Sequence, residues 1–269
     1  MNKKTKLIFS YIILFIESIM LCCLILIILL NNTVLKKSYV KKKVVEVDTY
    51  NILFNNIKTE MSYYTEQSGF EDDILDDTFT IEEITNESNK FLDSIFDNKK
   101  IEIDSTKFKE RLNKKIDDYI ERNNFKIINE EEIKLFVDKL AEIYVNKIKI
   151  SNFSDHITFF ITNIKTKLNI ISIILVISFI TLIIINKKIF DKTNIGVVFY
   201  FTSFIYISIY FYINNVIDLN HLFVYNEVIT PSIKLIVDNI MSLLTKISII
   251  SIIIGTILSF LHKKNDSLQ

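Results

Sequence analysis

Four long apolar stretches, Leu7–Leu30, Leu168–Ile185, Ile195–Ile213 and Ile247–Leu261, decide what this chain can fold into. The hydrocarbon core of a bilayer is about 30 Å thick and takes about 20 mostly apolar helical residues to cross. The first three stretches qualify outright, and the fourth needs help from the residues before it. Between the first and second lies a long charged segment, so apolar and charged residues are segregated along the sequence. With 49% hydrophobic content the chain is too apolar for an ordinary soluble domain, although 24% of it is charged.

Charge excludes one class of partner. The 32 basic and 32 acidic residues balance, leaving no global field to draw in nucleic acid, and none is expected as a partner. Only 3 glycines and 1 proline occur, which argues against flexible linkers and against the interrupted helices of many transporters. Long uninterrupted helices are the natural reading. The cysteines, Cys22 and Cys23, are adjacent inside the first stretch, where they point in different directions and cannot readily bridge. Neither a disulfide framework nor zinc-ligand spacing exists. The first stretch is longer than the roughly 7–15 residues of a signal-peptide apolar region, and no small-residue cleavage site follows it. Leu21 stands where a lipoprotein-type site has a small residue before cysteine. An uncleaved anchor is therefore expected.

Lysines suggest an orientation. Lys3, Lys4 and Lys6 precede the first stretch, Lys187, Lys188 and Lys192 join the second to the third, and Lys263 and Lys264 follow the fourth. Cytoplasmic termini put all eight inside, as the positive-inside rule favours. Lys36, Lys37, Lys41, Lys42 and Lys43 weigh the other way, but long translocated segments count less than short loops. Expected segments are then 1–30 (tail and first span), 31–167 (extracytoplasmic helical domain), 168–213 (second and third spans), 214–246 (a second extracytoplasmic segment) and 247–269 (fourth span and tail).

The charged segment carries helical signals. Leu53, Phe54, Ile57, Met61 and Tyr64 share one helix face, and nothing between Leu30 and Tyr50 demands a break. The first membrane helix is expected to continue as a rod to about Gln67. Thr80 with Glu83 is a capping-box pair, in which hydroxyl and carboxylate satisfy each other's free backbone N–H, and it predicts a helix over 81–97. Asp104 and Ser105 can cap a helix bearing Phe108, Leu112, Ile116 and Tyr119. Asn129 with Glu132 repeats the logic before Ile133, Phe136, Leu140 and Tyr144. Ser154 and Asp155 open the second membrane helix, and Thr230 with Pro231 open the last. The face formed by Ile233, Ile236, Val237, Ile240, Leu243 and Leu244 cannot stay in water. Lys100–Ile103 and Phe125–Ile128 alternate as a short strand pair would. The predicted fold is all-α: a four-span integral membrane protein with an extracytoplasmic helical bundle formed partly by extensions of the membrane helices.

Few residues carry chemistry. Glu17 is the one acidic residue inside a membrane stretch, and a mid-bilayer charge costs about 2.5–3.5 kcal/mol on insertion scales, so such a residue marks a functional site or an interhelical contact. Thr202, Ser203 and Tyr206 of the third stretch are its candidate hydrogen-bonding partners, or else glue between helices. The acidic run Asp72, Asp73, Asp76, Asp77, Glu82 and Glu83 fails as an EF-hand, because Ile74 takes the third ligand position and Asp77 the place of the turn glycine. It reads as a solvated loop. His156, His221 and His262 lack metal or catalytic spacing, and Asp218 and His221, with Glu227 and Asp238 nearby, make the only cluster that could be assembled into an extracytoplasmic hydrolytic or metal site. No phosphate loop or nucleophile elbow occurs. The expectation is a non-enzymatic, multi-pass cell-membrane protein without metal or cofactor, its termini cytoplasmic. Its helical domain would sense, bind or scaffold a protein partner or a second copy of the chain. A small transporter or channel subunit using Glu17 is the alternative.

Overall fold

The computed structural model describes residues 3–100, 102–124, 130–149, 154–189, 195–216 and 227–266, and every regular element among them is helical. In chain order these are α1 (Lys3–Asn32), α2 (Lys37–Glu46), α3 (Thr49–Gln67), a 3-10 turn (Asp72–Leu75), α4 (Ile81–Asp97) and α5 (Thr106–Arg122), then α6 (Glu130–Lys149), α7 (Ser154–Ile189), α8 (Gly196–Val216) and α9 (Thr230–Asp266). Four segments are long and apolar enough to cross a membrane: Lys4–Asn32, Ile161–Lys187, Gly196–Asn215 and Thr230–Lys263. The all-helical class expected from the sequence is present, with four helices long and apolar enough to span a membrane. Glu102 and Ile103 form no strand, while Phe125–Ile128 and the Asn129 cap lie outside the described residues.

The chain divides into two compact units. One, the polar unit, comprises residues 37–163 and 225–232; the other, the apolar unit, holds residues 1–36, 164–224 and 233–269.

In the polar unit α3 and α6 pack on each other and on α4, α5 packs on α6, and α2 lies against α3 and α4. The apolar faces read from the sequence supply the core. Ile57, Met61, Ile84, Leu112, Ile116 and Leu140 are fully buried. An aromatic group completes it, with Phe108 stacked on Tyr144 at 5.3 Å and Phe79 set against both. The capping box forms as its residues dictate: Glu83 N–H donates to Thr80 Oγ1 (3.2 Å) and Thr80 N–H to Glu83 Oε2 (3.1 Å). At α5 the capping is done by Asp104, whose Oδ1 accepts from Thr106 N–H (2.9 Å), while the Ser105 side chain makes no capping bond. Near the start of α9, Ser232 meets Thr49 of α3 through a buried hydroxyl pair at 2.7 Å.

The expected rod from the first span to Gln67 does not form. Asn32 Nδ2 donates to the Ile28 carbonyl (2.8 Å) and Thr33 Oγ1 to that of Leu29 (2.7 Å), so side chains compete with the continuing backbone ladder and α1 stops. A second break follows at Asp48, whose φ of 57° is left-handed, a conformation short polar residues tolerate better than most. Three helices replace one.

In the apolar unit, polar contacts fix the direction of each span. Thr202 Oγ1 donates to the Ser18 carbonyl (3.3 Å) and Tyr206 O–H to that of Cys22 (2.8 Å), so α1 and α8 run parallel. Asn31 meets Asn169 at 3.2 Å and Glu17 meets Asn186 at 3.4 Å, so α7 runs antiparallel to α1. Ser203 pairs with Ser248 (2.7 Å) and Gly196 lies beside Gly255, so α9 runs antiparallel to α8. Direction alternates along the chain, and the two ends of the chain therefore meet the same face of this unit. The face of α9 that cannot stay in water is covered here: Leu244, with Ile240, Met241 and Leu243 around it, packs on Cys22, Leu29 and Tyr206. By contrast, the apolar window of α7 is 0% buried, leaving its isoleucines bare for lipid.

Candidate functional site

Glu17 is 1% exposed near the middle of α1, and α7 brings Asn186 to it, itself 2% exposed. Asn186 Nδ2 donates to Glu17 Oε1 at 3.4 Å, beyond the 2.7–2.9 Å usual for a hydrogen bond to an ionised carboxylate. No cation of the described residues approaches Glu17 closely enough to pair with it. Asn186 Oδ1 is buried and receives no hydrogen bond among the described residues. Asn186 escaped sequence reading because it sits immediately before Lys187 and Lys188, where a polar residue reads as the end of a span. The residue to look for was a polar group able to answer Glu17.

The hydroxyls read as candidate partners of Glu17, or else as glue between helices, bond to neighbouring helices and not to Glu17. Thr202 donates to the carbonyls of Ser18 and Val198, Tyr206 to that of Cys22, and Ser203 pairs with Ser248, which also reaches the Ser203 carbonyl at 3.1 Å. Each of the three residues is at most 2% exposed. Together they join α8 to α1 and α9 through groups that hydrocarbon cannot solvate. Close approach has a second source at Gly255, where the Gly196 backbone carbonyl sits 2.9 Å from the place a Cβ would take. Of the cluster outside the membrane stretches, Asp218 and His221 lie outside the described residues, and Glu227 is exposed just before α9.

In the polar unit part of the acidic run enters ion pairs. Asp73 pairs with Arg122 (2.8 Å) and Asp76 with Lys58 (3.3 Å), while Ile74 and Leu75 between them are buried. Among the described residues no group of three or more His, Cys, Asp or Glu side chains is placed to hold a metal ion. Glu83 has a double role: besides capping α4, both its oxygens accept from Arg111 Nη2 at 2.7 Å, tying α4 to α5. Burial opposes its charge, but the bonds from Arg111 and Thr80 outweigh that and hold its carboxyl below the ordinary value. Asp93 is also lowered, by Lys41 first and with help from Lys37 against some burial. Asp104, bonded by the Thr106 backbone, and Asp138, bonded by Lys109, shift the same way. Burial pushes the Tyr144 phenol up, away from any role as a base.

These carboxylates have lower folded than unfolded values, so their contribution is complete above the unfolded range, about pH 4, and is lost as pH falls through the folded values. The expected result is a thermal midpoint for the polar unit that is flat from neutrality to about pH 5 and falls below about pH 4. Circular-dichroism melts in detergent check it; a midpoint rising on acidification would contradict the assignment.

No family model, curated protein or solved structure matches this chain. Residues and geometry alone define its class: an all-helical chain with four helices compatible with a multi-pass membrane protein.

Proposed function

We propose that this is a non-enzymatic, multi-pass cell-membrane protein, with cytoplasmic termini and an extracytoplasmic polar unit that senses, binds or scaffolds a protein partner. The observation supporting this reading is the polar unit itself. It has its own core, separate from that of the spans, and ion pairs such as Glu83–Arg111, Asp73–Arg122 and Asp138–Lys109 tie its elements together. Such a body presents a fixed surface, as a recognition module requires. Tyr63 on α3 and Leu135 on α6 stand 59% and 64% exposed on it. Lys139 lies over the Tyr64 ring, beside Tyr63 and one turn from Leu135, so these side chains fall along one stretch of surface. Exposed aromatics are the side chains most enriched among residues that dominate protein–protein binding.

Photo-crosslinking from positions 63 and 135 in intact cells tests the reading. A discrete protein adduct from both, reduced by Tyr63→Ala when the probe is at 135, is expected. Crosslinking to lipid alone, or cytoplasmic labelling of the polar unit, would overturn it. A small transporter or channel subunit is the second reading, favoured by the buried Glu17, which has no cation partner among the described residues. It requires that Glu17→Gln abolish the cellular role while deletion of residues 70–130 spares it.

A further inference from the structure

Glu17 and Asn186 present complementary deficits. The carboxyl lies in an apolar helix, 1% exposed, with no cation among the described residues to balance a charge. The amide beside it already donates to one carboxyl oxygen and holds its own oxygen buried with no donor among the described residues. An ionised carboxylate can only accept, so it cannot satisfy that oxygen; a carboxylic acid carries one O–H donor and can. A carboxylic acid and a primary amide close a two-bond ring, with N–H donating to one carboxyl oxygen and O–H from the other donating to the amide oxygen. One bond of that ring is in place. A proton on Glu17 would supply the donor for the second bond.

We propose that Glu17 and Asn186 form a proton-binding site within the apolar unit, in which Glu17 holds a proton at neutral pH and donates it to Asn186 Oδ1. The bound species is a proton and not an alkali-metal ion. The site closes α1 on α7, a helix whose apolar window is otherwise unburied, and Asn31 with Asn169 makes a further polar contact between the same two helices. Loss of the proton leaves a bare charge facing an amide oxygen in a low-dielectric site, which repels α7 from α1. The titratable side chains nearest along these helices are the thiols of Cys22 and Cys23 on α1 and the phenols of Tyr200 and Tyr206 on α8. On α7 the neighbouring Lys187 is exposed, α8 carries no acidic or basic residue from Gly196 to Val216, and α9 carries none between Ile247 and Leu261, with His262 and Lys263 beyond. On α1 the nearest lysine is Lys6. The inference rests on the four-span reading only, and holds whether the chain binds a partner or transports a solute.

The full chain in phosphatidylcholine nanodiscs, studied by infrared spectroscopy at neutral pH, tests it. A carbonyl stretch of a protonated carboxyl, shifting on deuteration, is expected in the wild type, absent in Glu17→Gln, and moved to higher frequency in Asn186→Leu. Thermal midpoints in the same nanodiscs should fall at alkaline pH for the wild type and stay level for Glu17→Gln, whose amide closes the same ring without titrating. Absence of the band at neutral pH, or its survival in Glu17→Gln, overturns the proposal. So does a wild-type midpoint that rises with sodium or potassium at constant pH, since that assigns the site to an alkali ion. If Glu17→Gln fails to fold, the wild-type band and its disappearance on alkaline titration together with the fall in midpoint decide the matter alone.

Discussion

Gly255→Val is expected to separate α8 from α9. A Cβ at this position would stand 2.9 Å from the Gly196 carbonyl oxygen, 3.3 Å from Phe199 Cβ and 3.4 Å from Tyr200 Cδ1. The first of these is backbone, which cannot swing aside as the end of a flexible side chain can. Valine adds two methyls beyond the Cβ, so the helices must part. Parting them stretches the Ser203–Ser248 hydroxyl pair at 2.7 Å and the Tyr200–Thr256 bond at 3.0 Å, neither of which has water to replace it inside a bilayer. Overpacking of a tight core costs about 1–3 kcal/mol, and lost intramembrane hydrogen bonds add about 0.6 kcal/mol each. Unfolding in mixed micelles of rising denaturing-detergent fraction measures the change. Gly255→Ala should fall between valine and wild type, and a valine variant as stable as the wild type would refute the close packing described for these two helices.

Leu140→Ala is expected to cost the polar unit about 2–5 kcal/mol. Leu140 has 0% exposure on α6, the helix against which α3, α4 and α5 all pack, so no neighbour can collapse into the vacancy without disturbing another contact. Against a total of about 5–15 kcal/mol for a typical domain, that loss is large enough to raise protease sensitivity at physiological temperature. Leu135→Ala supplies the control from the same helix. That side chain is 64% exposed, and its removal should change stability by no more than about 0.5 kcal/mol. Denaturant melts of both variants, followed by circular dichroism, check the contrast. Equal effects at the two positions would mean that α6 is not the packing centre of the unit.

What could be read from sequence was whatever depended on near neighbours. The α4 boundaries follow from Thr80 and Glu83, three residues apart, and its buried face from the spacing of Ile84, Phe91 and Ile95. Asp104 was legible as a cap for the same reason, its partner being Thr106. The breaks after α1 and before α3 were not. Each depends on a polar side chain choosing a backbone carbonyl or a left-handed turn over another helical turn, and the alternatives at Asn32, Thr33 and Asp48 are nearly equal in energy until packing decides. Long-range pairings were hidden altogether. Glu17 could be singled out because its chemistry is anomalous where it stands. Asn186, 169 residues further on, is ordinary in its own neighbourhood and becomes informative only when α7 is laid beside α1.

The parallel pairing of α1 with α8 bears on how the chain is made. Residues that cover Ser18 and Cys22 from the far side, Thr202 and Tyr206, are synthesised 184 positions later. At ordinary translation rates the first span therefore waits on the order of ten seconds or more for its principal neighbour. During that wait Glu17 is in the bilayer without Asn186, and Ser18 without Thr202. Insertion of this protein thus has an unfinished stage, in which a strongly apolar helix carrying one carboxyl must be held by the insertion machinery or sit displaced toward the headgroups until the later spans arrive.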